Sequence, residues 1–303
     1  MIYKWNFDFV KHRNKFFAFS LAITLVGILT LAFAGLHYGI DFKAGTTIDI
    51  VVGEPIEKAK ADQLFKDAGL SPTVTIGGAN QDRVTARFDY VLTPDQINQA
   101  VGAFTSVYGD KVSHEENTVD PQLARELAIK AIYAVAIASI GIVIYVSIRF
   151  EWRFALAGIV ALLHDAFIVI SVFSIFRLEV NLTFVAAVLT IIGYSINDTI
   201  VIFDRIRENL RFAKIKTADD LSEIVNKSLW QTMTRSINTV LTVLFGAIAL
   251  MVLGSESLRL FSLAMLVGLI SGVYSSICVA SPLWFVLKRD TIGRNKKAVP
   301  SKA

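Results

Sequence analysis

Residues 182–205 read LTFVAAVLTIIGYSINDTIVIFDR, and the rest of the chain is best understood outward from them. From Leu182 to Phe203 the stretch is apolar over a length that crosses a bilayer, since about 20 residues at 1.5 Å each span the ~30 Å hydrocarbon core. Inside that run stand Ser195, Asn197, Asp198 and Thr199. A charged side chain near mid-membrane costs at least ~2.5–3.5 kcal/mol on insertion scales, so its default role is functional. Asp198 is read as a proton or ion relay, or as the buried partner of a cation. The structural alternative is a protonated Asp that only holds helices together. Helical spacing puts Tyr194 and Ser195 on the face of Asp198, and Gly193 and Asn197 on the adjacent one.

The composition agrees. The chain has 303 residues, 54% of them hydrophobic, with a mean hydropathy of +0.55, too apolar for a soluble domain. Six spans are expected, at 16–36, 128–148, 154–176, 182–203, 237–254 and 260–287. The fifth is the weakest, short and rich in hydroxyls. Ala32-Phe33-Ala34 resembles a signal-peptide cleavage site, but the polar start and the apolar run are both long for a signal, so the first span is read as uncleaved. Basic residues mark the cytoplasmic side. They collect in 1–15 (Lys4, Lys11, Arg13, Lys15), in the 149–153 turn (Arg149, Arg153), in the 204–236 connection and in the 288–303 tail, whereas the opposite short turns hold only Arg177 and Arg259. Both termini are therefore expected in the cytoplasm. The 37–127 segment, with 14 Asp/Glu against 8 Lys/Arg, is expected outside. The net charge of +4 thus reports topology and not nucleic-acid binding. Cys278 is a lone core residue with no disulfide partner, and the four histidines lack metal-ligand spacing. No glycine-rich phosphate loop, metal cluster or Ser-His-Asp pattern is present, so no enzyme chemistry or metal cofactor is expected.

The 37–127 segment reads as a folded domain. Thr46–Val52 is a β-branched strand. A helix follows from Pro55 to Ala68 and stops at Gly69. Val74–Ile76 and Arg83–Phe88 form a hairpin, a second helix starts at Thr93-Pro94, and 111–119 is a last strand. The order βαββαβ predicts a ferredoxin-like α/β sandwich. Asp41, in the glycine-bounded turn before it, is given a structural role.

Polar groups recur along the spans. His164 and Asp165 lie mid-way along the third; each reads equally as a relay or as a structural hydrogen bonder, and at 100° apart they are not expected to share a partner. Thr217-x-x-Asp220 starts an amphipathic helix expected on the inner membrane surface. Arg235, Asn238, Thr239, Thr242 and Gly246 share one helix face, expected to look into the protein. Arg235 at the start of span five and Asp198 near the inner end of span four are expected at similar depth. An Arg nearby holds an Asp ionised, and an Arg that withdraws lets the desolvated carboxylate take a proton. In span six, Gly268-x-x-x-Gly272 followed by Ser275-Ser276 predicts close helix packing and no chemistry.

With these residues in hand the chain resembles the SecF family, the smaller membrane subunits of bacterial SecDF accessory translocases. GYSINDTIVIFDRIREN (193–209) carries the resemblance, with GIDFKAGT (39–46), ALLHD (161–165), RSINTVLT (235–242) and GVYSS (272–276). Ala44 departs from the pattern, where the family has a second glycine. The resemblance implies half of an RND-type twelve-helix bundle, completed by a SecD-like partner. It implies use of the proton-motive force to pull preproteins across the bacterial inner membrane, alongside SecA and the SecYEG channel, with YajC and YidC as further partners. The family's essential Asp and Arg fall on Asp198 and Arg235. Two other readings are a half-transporter exporting a lipid or small molecule, and a scaffold without transport.

Overall fold

The computed structural model describes residues 7–78 and 80–297, Asp110 and 290–297 by backbone alone. Lys4, in the basic N-terminal segment, and the end of the basic tail lie outside the described residues.

Six helices are long and apolar enough to cross a membrane. They are α1 (Arg13–Phe33), α5 (Pro121–Arg149), α6 (Trp152–Ile175), α7 (Leu182–Phe212), α8 (Ala218–Leu253), and a last one built of α9 (Glu256–Ser275), a π-turn at Ser276–Ala280 and α10 (Ser281–Lys297). Their starts follow local chemistry. Asp120 accepts from the amides of Gln122 and Leu123 ahead of Pro121 at the first helical position. Asn181 accepts from Phe184 N at the head of α7. Thr217 and Asp220 close a reciprocal capping box on α8.

α7 runs through the middle, packed on α9, α8, α6 and α5. Its inner face, Ala187, Ile191, Ser195, Ile202 and Ile206, is buried. α9 comes close because of its small residues: a Cβ at Gly268 would run into Ile191, and one at Gly272 would touch Ser195. α1 and α5 present most of their surface outward, as lipid-facing helices do.

Between α1 and α5 lies the expected sandwich. After β1 (His37–Tyr38) and the single turn α2 (Ile40–Lys43) come β2 (Gly45–Val51), α3 (Lys58–Asp67), β3 (Thr73–Gly77), β4 (Arg83–Phe88), α4 (Pro94–Tyr108) and β5 (Ser113–Val119). The antiparallel sheet has the order β3-β4-β2-β5, which is the ferredoxin-like topology. Ile48 and Ile50 of β2 and Val84, Ala86 and Phe88 of β4 point to one face and bury against Phe65 of α3 and Phe104 of α4. The opposite face carries Thr47, Asp49, Thr85 and Arg87 and turns towards Ser255, Glu256 and Leu260 of the bundle, across a cleft of about 280 Å³.

The linker into the sandwich is stitched to the α6–α7 connection. β1 pairs in parallel with β6 (Glu179–Val180). Gly39 N donates to Val180 O at 2.9 Å, and Asp41 accepts from Leu182 N at 2.8 Å, so its role is structural as expected.

One element departs from the sequence reading. The 217–236 stretch is not a separate surface helix. It is continuous with span five as the 36-residue α8. No proline interrupts it, and its first glycine is Gly246. Its inner half buries Leu221, Val225, Leu229 and Thr232 alongside the extension of α7, where Asn209 donates to Ser228 and Gln231. The apolar stripe read as membrane-seeking is buried in the protein's own core.

Candidate functional site

Two carboxylates lie inside the helical bundle. Asp165, on α6, is 1% exposed. Its Oδ2 accepts from Ser195 of α7 at 2.6 Å and from Ser275 of α9 at 2.5 Å. Its Oδ1 accepts from Ser271 of α9 at 2.7 Å and meets His164 Nδ1 at 3.1 Å. Three hydroxyls and one imidazole nitrogen thus surround the two oxygens of Asp165. His164 and Asp165 meet each other directly, and no third side chain hydrogen-bonds to both among the described residues. The other imidazole nitrogen of His164 is buried with no hydrogen-bond partner.

Asp198, on α7, is half-buried. Its Oδ1 accepts from the Ser236 hydroxyl of α8. Its Oδ2 is buried and has no hydrogen-bond partner. Arg235, the residue before Ser236, is exposed on α8. It is near enough for its charge to act on Asp198, but no ion pair between the two forms among the described residues. The expected Asp198–Arg235 contact is thus replaced by Asp198–Ser236. A step of one residue turns the α8 side chain by about 100°, which brings Ser236 to α7 and swings Arg235 outward.

The same rotation corrects the α8 stripe. Asn238, Thr239 and Thr242 are exposed with Arg235, as is Asn197 beside Asp198. The face of α8 that meets the bundle carries Thr232, Ser236 and Ala247. Ser195 does not serve Asp198 but Asp165, and Thr199 exchanges a 2.8 Å hydrogen bond with Ser276 in the π-turn. So the neighbours of Asp198 on both sides along α7 are anchored, Ser195 to α6 and Thr199 to the π-turn. Ser236, Ser271, Ser275 and Ser276 were not singled out from sequence as polar partners. For α9 a signal existed: Ser271 and Ser275 lie four residues apart, beside the small pair Gly268 and Gly272, so two hydroxyls share the closest helix contact.

The family models for "Protein export membrane protein SecD/SecF, C-terminal" and for the "SecD/SecF GG Motif" match residues 100–290 and 30–56. The chain is 46% identical to the protein translocase subunit SecF of Alicyclobacillus acidocaldarius, over 98% of this chain and 99% of that protein. It is 48% identical to the protein translocase subunit SecDF of Bacillus subtilis over 94% of this chain, but spans only 38% of that longer protein. The crystal structure of SecDF from Thermus thermophilus superimposes with a TM-score of 0.79 at 33% identity, covering 94% of this chain and 39% of that one.

Proposed function

The chain belongs to the SecD/SecF family of protein-export membrane proteins, and from that premise we propose that it is the SecF-type half of a proton-driven motor for protein translocation. It is a multi-pass protein translocase subunit. In the proposed arrangement it lies in the bacterial inner membrane with both termini in the cytoplasm and the sandwich outside. A SecD-type chain supplies the other six helices. SecYEG, YajC and YidC are neighbours, SecA acts indirectly, and protons are the only coupling species, with no cofactor and no enzymatic step. The chain's span of 38–39% of the fused SecDF relatives, which join both halves, supports that division.

One observation carries the proton reading: Asp198 keeps one oxygen on Ser236 and the other buried and unpartnered, with Arg235 at the uncovered edge of the same helix pair. In this reading that oxygen takes a proton or, after α7 and α8 shift, the Arg235 guanidinium, one at a time. Protonation removes a charge from the bundle and frees the Arg, and the entry of Arg235 expels the proton. One charge crossing 100 mV releases ~2.3 kcal/mol, enough to bias a two-state equilibrium. A second reading, export of a lipid or small molecule, is favoured by an open groove of about 1070 Å³ lined by Trp230, Met233, Ile237, Leu241, Tyr274 and Ile277.

Asp198→Asn keeps the shape and the bond from Ser236 while removing the titration. In vesicles holding the assembled complex, the variant is expected to lose gradient-stimulated preprotein translocation with assembly intact. Translocation at the unmodified level would overturn the proton role. Loss of lipid or solute export with protein transport unchanged would favour the second reading.

A further inference from the structure

Besides its packing on the start of α5, the linker into the sandwich is hydrogen-bonded to the 174–182 connection that leads into α7. Ser174 donates to Gly35 O at 2.8 Å, β1 pairs with β6, and Asp41 caps Leu182. These bonds hold only the linker. The ion pair that reaches from the sheet itself is Arg87 of β4 with Glu179. Glu179 has a side chain only 8% exposed, and the linker backbone is pressed against it: a Cβ on Gly39 would collide with the carboxylate. Burial pushes the Glu179 carboxyl above its usual range, while Arg87 pulls the other way and the nearby charges of Asp41 and Glu256 add to the push. A buried pair of this kind is held by geometry against its own desolvation, and removing one partner strands a charge.

Glu179 stands three residues before the first residue of α7, and Asp198 follows 16 residues after Leu182, about 24 Å along a rigid helix. We propose that the Arg87–Glu179 ion pair is the latch through which a shift of α7 is carried to the sheet domain, with Glu179 as a positioning residue of the proton-driven step. The proposal rests on the translocase reading above. The linker bonds fix where the sandwich is tethered; the latch fixes how it is oriented, because among the ion pairs of the described residues it is the one that joins the open face of the sheet to the α6–α7 connection.

The test uses the full chain in its assembled complex, with Cys278→Ser and spin labels at Ser113→Cys on β5 and Leu258→Cys on α9. A single narrow distance distribution is expected. Glu179→Gln and Arg87→Gln should broaden it and reduce gradient-driven translocation to the level of Asp198→Asn, with the complex still assembled. Arg87→Lys, which keeps the charge, should restore both. An unchanged distribution in the Gln variants overturns the latch, and so does translocation that survives the broadening. If Asp198→Asn itself transports normally, the proton reading fails instead, and the distances alone then decide whether the latch exists.

Discussion

Asp165 takes hydrogen bonds from three hydroxyls and touches His164 Nδ1, whereas Asp198 takes one from Ser236 and its other, buried oxygen has no partner among the described residues. The two carboxylates differ in how many partners they have. Asp198 was legible as a residue of interest because a charge in an apolar run demands a role; the relay role is the one proposed above. Which carboxylate is sealed was not legible, since it depends on hydroxyls from two other helices. Ala44 is strained. Its φ of 70° and ψ of 158° lie where backbones are almost all glycine, at a strain of ~1–3 kcal/mol for other residues. It is also the position at which the sequence lacks the family's second glycine. Ala44→Gly relieves that strain, while the freer unfolded chain takes back ~0.4–1 kcal/mol. The variant is expected to be more stable by about 1 kcal/mol, read as a higher unfolding midpoint of the detergent-solubilised chain. A lower midpoint would mean that this turn is not strained.

At the scale of elements, Asp165 is the joint of three helices, taking hydroxyls from α7 and α9 onto α6. Asp165→Ala leaves those hydroxyls without their acceptor in a closed interior, where each unmet polar group costs ~1–3 kcal/mol. A loss of roughly 3–5 kcal/mol is expected, with Asp165→Asn in between because its amide keeps one acceptor oxygen. Asp198→Asn should unfold near the unmodified midpoint. Equal midpoints for Asp165→Ala and Asp198→Asn would refute the distinction between a joint and a relay. The six spans and the sandwich were readable element by element, since hydropathy, strand alternation and caps such as Thr93-Pro94 and Thr217-x-x-Asp220 are local. The helical phase of α8 was not. Its polar stripe (Arg235, Asn238, Thr239, Thr242) and its Ser236 face are both hydrophilic, and a lone sequence does not show which of two polar faces meets α7.

For the molecule as a whole, that outward stripe is the most informative surface. Arg235, Asn238, Thr239 and Thr242 are exposed on a membrane helix, and Asn197 and Tyr194 of α7 are exposed beside them. Polar side chains facing lipid are expensive, whereas exposed faces of α1 and α5 are lined by Leu, Ile, Val and Phe. A surface of this kind is stable in a bilayer when another protein covers it, and the proposed SecD-type half is the partner of matching size. Covering it would also dry the edge of the Asp198 site, so that Arg235 acts on the carboxylate through a medium of lower dielectric than water. Single cysteines placed in a Cys278→Ser chain test this directly. Thr239→Cys and Thr242→Cys should cross-link to the SecD-type chain in membranes, and Ile132→Cys, on the lipid-facing side of α5 at 68% exposure, should not. Cross-links from Ile132 with none from Thr239 would place the partner on the opposite flank. The stripe would then line a water-filled path to Asp198 within this chain's own surface, and the proton would enter without help from the second half.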